Sequence, residues 1–258
     1  MRRYTLILKQ LRRIWIVLGL ELKKIWRARL IQMILLAFAF LVVIKRGANW
    51  TDYINNGLMF LVAVIGLVGF GTLSSWVFAN EFTSQTFKDL LALPISRKTI
   101  VSGKLVAIEI AELLITVGML GFLFGFGCLY FHSGIPAGLV AHVLALVRRA
   151  FVYDVMLSFL WPLVARLSRT SLLPTALSFG TPIIAVIFAS QPLGQFIPWA
   201  IPGYFLAHTE AARFINNLIV SLVGMIGIYG TIYVWDKWDQ MLCGLVELVL
   251  LTITIKSR

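Results

Sequence analysis

Long apolar runs alternate with short polar breaks along the chain. Runs at 30–44, 53–79, 104–131, 150–165, 172–189 and 214–235 approach or exceed the ~20 apolar residues that carry a helix across a bilayer. The pattern predicts an all-α integral membrane protein with six transmembrane helices. Residues 1–29 read differently. Leu11, Trp15, Leu18, Leu22 and Ile25 recur at three-four spacing, which puts them on one helix face. Arg12, Arg13, Lys23, Lys24, Arg27 and Arg29 occupy the rest. Such a helix lies in a headgroup layer, apolar side down, or packs on a partner subunit. Residues 132–149 read as a re-entrant or surface segment, and 191–205 as an interfacial loop rich in proline and aromatics. The last run, 241–255, is short and interrupted by Glu247. It is a seventh span or a surface segment, and the pattern favours the surface.

The segment between the second and third spans has a pattern of its own: "NEFTSQTFKDLLALPISRKTIVSGKL", residues 80–105. On a helix over 83–93, Phe82, Phe87, Leu90 and Leu91 cluster while Gln85, Lys88 and Asp89 face elsewhere. Thr83 or Ser84 caps the start, and Pro94 stops the helix. Ser96 caps the third span, and Arg97, Lys98 and Lys104 hold its start at the headgroups. Two readings of the apolar face stand open: a helix anchored on the bilayer surface, or a helix that docks into a groove of a partner.

Composition agrees with the membrane reading. The chain is 60% hydrophobic and 13% charged, against about 25% charged in soluble domains. The net charge of +12 would suggest nucleic acid in a soluble protein. Here the basic residues flank apolar runs, so anionic lipid headgroups explain them better. With the N-terminus inside and six spans, 18 of the 23 Lys and Arg fall inside and 5 outside. That bias predicts a cytoplasmic N-terminus in a cell membrane and a cytoplasmic 80–105 segment. The stretch 14–20 is too short for a signal peptide, and no cleavage site follows it. Cys128 and Cys243 stand alone and form no metal or disulfide pattern.

Motifs for chemistry are missing. The one Gly-Lys pair, Gly103–Lys104, lacks the glycine five residues earlier that a phosphate loop needs. No HExxH, CxxC or GxSxG occurs, and His132, His142 and His208 lie far apart, so no metal, cofactor or catalytic residue is expected. Ionisable groups at depth remain to be placed, because they are expensive there. Glu109 and Glu112 are three apart and share one face of the third span. They line a polar pathway, or they sit near the interface bonded to Lys104 or the N-terminal helix. Asp154 lines the same pathway or pairs with Arg148 or Arg149. Glycines concentrate in the third and sixth spans. Gly121 and Gly125 form a GxxxG, and Gly224, Gly227 and Gly230 share nearly one face, which permits close helix packing.

The segment 80–105 resembles the cytosolic loop of ABC-transporter permeases of the ABC-2 type exporter class. It carries Glu81, Thr86, Leu90, Leu91, Pro94, Ser96, Arg97, Gly103 and Lys104 in the order and near the spacing of their motif. The variant "TFKDLLALPISR" looks most like permeases of bacitracin- and lantibiotic-resistance exporters, although Gln85 stands where many members have glycine. The resemblance implies one permease domain over 1–258, with a coupling helix in the loop 81–97. The partners it implies are separate ABC ATPase subunits, a second or sister permease copy, and membrane lipids. The coupling surface would be Glu81, Phe87, Leu90, Leu91, Pro94 and Arg97. Phe87, Leu90 and Leu91 would fill the ATPase groove, Arg97 would meet an acidic group or lipid phosphate, and Glu81 would orient the loop. ATP would be hydrolysed by the partner. The cargo would be a peptide antibiotic or another amphipathic or ionic solute. The alternatives are a non-transporting membrane scaffold, or a secondary transporter, whose expected symmetry of broken helices is not seen.

Overall fold

In the computed structural model, backbone is described for residues 2–83, 96–132, 134–208 and 213–256, and side chains over 2–13, 82–83, 213 and 236–256 are not. All regular structure among the described residues is helical. Helix α1 (Arg2–Arg27) meets α2 (Leu30–Ile44) at a bend of 50°. The bend falls at Arg29, whose φ of 57° is left-handed, a conformation that cannot continue a right-handed helix. Helix α3 (Trp50–Met59) runs through a π-helical segment (Phe60–Gly66) into α4 (Leu67–Thr83). Asn49 caps α3 by accepting the Asp52 N–H at 2.8 Å.

Helix α5 (Arg97–Phe131) starts at Ser96, whose side chain accepts from Thr99 N, as the cap reading expected. Helices α6 (Leu139–Ser158) and α7 (Leu160–Ser168) follow, then α8 (Leu172–Phe188) with Pro182 inside it. Two 3-10 turns, Pro192–Phe196 and Pro198–Ala200, lead to α9 (Ile201–Ala207). Helix α10 (Arg213–Lys256) closes the chain. Among the described residues three helices are long and apolar enough to cross a membrane: Trp50–Glu81, Arg97–Phe131 and Phe214–Trp235. The bent pair α1–α2 makes a fourth if it counts as one span. The remaining segments read as spans are shorter, or carry Arg148, Arg149 and Asp154.

Several expectations need correction. Residues 139–149 are no separate surface segment, because α6 runs through them unbroken. Residues 191–205 are not simply an interfacial loop, since Ala200, Ile201, Tyr204 and Phe205 are buried. Residues 241–255 continue α10 rather than forming an element of their own. The buried stripe of α1 is also rotated from the expected face. Val17, Leu18, Glu21 and Ile25 are buried against the bundle, while Trp15 is 68% exposed. Gly103 lets α1 this close: a Cβ there would stand 2.8 Å from Val17 Cγ1.

Glycine packing divides between the two glycine-rich helices. On α10, Gly224, Gly227 and Gly230 face Met156, Phe159 and Leu163 in turn, so α10 lies directly on α6 and α7. A Cβ added at Gly121 or Gly125 would meet nothing within 4 Å among the described residues. At the far end from the 84–95 segment, the Tyr53 hydroxyl donates to Leu123 O at 2.7 Å. Trp50, Phe126, Tyr130 and Phe131 stack around it. A Cβ at Gly227 would press on the Phe159 carbonyl. Gly227→Ala should therefore cost about 1–3 kcal/mol by overpacking, while Gly121→Ala should be neutral or better. Thermal unfolding of the purified variants, side by side in one detergent, checks this.

Candidate functional site

The end of the bundle that carries the 84–95 segment is built around one lysine. Lys104 lies two turns into α5, on the face turned toward α1 and α4. Its ammonium is 2.6 Å from Glu81 Oε1 and 3.4 Å from Glu21 Oε1. It also donates to Val77 O at 3.0 Å and stands 5.6 Å from the Phe78 ring centre. Relative exposures are 0% for Lys104, 1% for Glu81 and 3% for Glu21. Lys24 closes the group by donating to Glu21 Oε1 at 2.8 Å. Two ammoniums thus balance two carboxylates. The contact to Glu81 is one of charge, since neither Glu81 oxygen has an aligned hydrogen-bond partner among the described residues. Lysine suits the position because it presents three rotatable donors from one compact charge.

Lys104 is therefore no headgroup anchor, as the sequence reading had it. It points inward because position 104 shares the buried face of α5 with Val101, Ile108 and Ala111. Glu21 escaped that reading altogether. Its signal was present: it is the only acidic residue in the first 51, and it falls within the stripe that α1 buries.

A second layer extends the same end. Arg97 Nη1 donates to Trp235 O at 3.5 Å. The Arg166 guanidinium lies 5.2 Å from the centre of the Trp235 ring, and Phe78 meets that ring edge-on at 6.1 Å. Helices α1, α4, α5, α7 and α10 are joined here through Glu21, Phe78, Glu81, Lys104, Arg97, Arg166 and Trp235. The structure thus places Glu81 and Arg97 at the two ends of the 84–95 segment, each held to the bundle. Phe87, Leu90, Leu91 and Pro94 lie outside the described residues.

The deeper carboxylates separate. Positions three apart on a helix differ by about 60° in direction, and here that suffices to split the pair. Glu109 is exposed and Glu112 is fully buried. Neither reaches Lys104, whose carboxylate partners are Glu21 and Glu81. Ser74 Oγ donates to Glu112 Oε1 at 3.3 Å, and among the described residues Glu112 Oε2 has no aligned hydrogen-bond partner. Asp154 does not pair with Arg148 or Arg149, because its carboxyl turns into the bundle. A Cβ at Gly66, the last residue of the π-helical segment, would be 2.5 Å from Asp154 Oδ2, so only glycine fits beside this carboxyl. Arg149 instead lies 5.1 Å from the centre of the Phe205 ring. Among the described residues no group of three or more His, Cys, Asp or Glu is placed to hold a metal.

Apolar helices of spanning length, and a buried charge cluster where they meet a polar segment, define a membrane-embedded protein. Residues 17–190 match the family described as ABC-2 family transporter protein. The chain belongs to that family, whose membrane proteins work in general with an ABC ATPase. Over 68 residues it is also 33% identical to the bacitracin transport permease protein BCRB of Bacillus licheniformis. That stretch is 26% of this chain and spans 33% of the relative's length.

Lys104→Met would leave two buried carboxylates without their shared cation. It should cost about 3–5 kcal/mol. Lys104→Met combined with Glu21→Gln and Glu81→Gln should recover most of the loss, because no buried charge then remains unpaired. Thermal unfolding of the single, double and triple variants as a mutant cycle measures this coupling.

Proposed function

We propose that the chain is the permease subunit of an ATP-driven exporter, with its N-terminus in the cytoplasm and six spans. In this reading residues 84–95 form a coupling helix that docks into a separate ABC ATPase subunit. The observation that carries it is the Glu21–Lys104–Glu81 cluster. Family membership supports an ATPase partner, and the cluster supplies a mechanical link to it. A push on residues 84–95 acts on the end of α4 at Glu81 and on the start of α5 at Arg97. Lys104 passes it to α1 through Glu21, and Trp235 passes it to α10. A loop that merely rested on lipid would need no such fastening at both ends.

ATP-driven closure of two ATPase subunits would then tilt these helices together, as a helix held in a groove transmits motion. The chain works as a dimer with a second or sister permease copy, and the interface provides the translocation route. Helix α5 offers the surface for this contact. Its outward face carries Glu109 together with Leu113, Val117, Gly121 and Gly125, all exposed in the single chain. A carboxylate on an otherwise apolar face is better covered by protein than by lipid, and the two glycines allow close approach. The partly matching relative is a bacitracin permease, which supports a peptide antibiotic or similar amphipathic or ionic cargo.

Co-expression with a candidate ABC ATPase subunit tests the coupling. Wild type should retain the ATPase through purification. Leu90→Asp and Phe87→Asp should each lose it while the permease still elutes as a folded species. Equal retention by the variants would sink the coupling-helix reading. The dimer face is tested separately, with Gly121→Cys in a background lacking Cys128 and Cys243. Oxidation in membranes should link two copies through position 121, and the same change at the packed Gly227 should not.

A further inference from the structure

At the far end, α6 and α10 diverge around a groove of about 470 Å³. Its mouth is formed by Arg148, Arg149, Asn217 and Ser221, and its floor by Val152, Tyr153, Met156 and Val220. About one turn deeper, Gly224 packs on Met156 and closes it. Arg149 lies roughly 25 Å of helix away from Arg166 at the other end. This is close to the ~30 Å thickness of a bilayer's hydrocarbon core, so the groove opens at the opposite interface from the lysine cluster.

The mouth presents donors. The Tyr153 hydroxyl donates to Asn217 Oδ1 at 2.7 Å, so the amide oxygen has a donor and the Asn217 NH₂ is the amide's donor group at the mouth. The Arg149 guanidinium lies over the Phe205 ring, 5.1 Å from its centre, a cation–π contact that uses none of its N–H donors. Arg148 is exposed beside it. Among the described residues neither arginine meets a carboxylate within ion-pair distance. Two cations, an amide NH₂ and a hydroxyl therefore converge without an anion. Next to Asn217 and Ser221 on α10, Leu218 and Leu222 form an apolar lip, each about half exposed.

We propose that this groove binds the phosphate of an anionic membrane lipid, with the acyl chains lying outside along α6 and α10. Charge complementarity selects an anion with several acceptor oxygens, and two arginines with planar forks match a phosphate. The apolar lip and floor select a lipid over a soluble anion. The site does not depend on the ATPase reading and would stand if that reading fell.

The test uses the full chain, purified and placed in phosphatidylcholine nanodiscs, with fluorescent phosphatidylglycerol as probe. Wild type should retain phosphatidylglycerol at least tenfold more tightly than fluorescent phosphatidylcholine. Arg148→Gln with Arg149→Gln should lose that preference, and Asn217→Asp, which sets an anion in the mouth, should weaken it severalfold. Arg46→Gln, a far-end cation stacked on Tyr130 outside the groove, should leave it unchanged. Should the double arginine variant not fold, Asn217→Asp decides alone. Equal binding of the two lipids, or an unchanged preference in the groove variants, overturns the proposal. Displacement of the lipid by millimolar inorganic phosphate overturns it too, since the groove would then be a soluble-phosphate site.

Discussion

An ammonium taken out of water must find charge and hydrogen-bond partners inside the protein, or the fold cannot hold it. Lys104 of α5 meets that demand with three groups from two neighbouring helices: Glu21 of α1, and Val77 O and Glu81 of α4. The requirement is geometric as well as energetic. These helices can meet only where the three groups reach one point, so the cluster sets the register of α1 on α5 and the place where α4 ends. Gly103 belongs to the same arrangement, because its missing side chain lets Val17 close on the helix beside Lys104.

The two ends of the bundle are held by different chemistry. The end that carries the 84–95 segment uses charge, with cations stacked on the rings of Phe78 and Trp235. The far end uses aromatic packing around Tyr53 and one hydroxyl bond to the α5 backbone. Between them the largely apolar interior also buries polar groups, among them Ser74, Ser75, Glu112, Thr116, Asp154, Ser158, Ser178, Thr181 and Thr231. Ionic contacts at one end tie α1, α4 and α5 to one another.

Much of this layout was legible in the residues. Apolar runs located the helices, Ser96 marked the start of α5, and the spacing of Gly224, Gly227 and Gly230 anticipated the packing of α10. The motif of 80–105 resembled the ABC-2 class, and the match over 17–190 places the chain in that family. Other features were hidden because one-dimensional spacing does not fix rotation. Trp15 and Glu21 both lie near the edge of the α1 stripe, and only contact with α5 turns one outward and the other in. Glu109 and Glu112 look like one face on paper, yet the boundary between surface and core passes between them.

The sequence by itself determined that this is an all-helical membrane protein with a polar, patterned segment between two long apolar helices, because those properties follow from hydropathy, period and local breakers. Only the tertiary structure decided which charges pair. Lys104 is 23 residues from Glu81 and 83 from Glu21, and local pattern says nothing about partners that far apart. The same holds for Tyr153 and Asn217, whose bond orients the donors of the far-end groove. Pair identity depends on how helices are rotated and how closely they approach, and the packing of the whole bundle sets both.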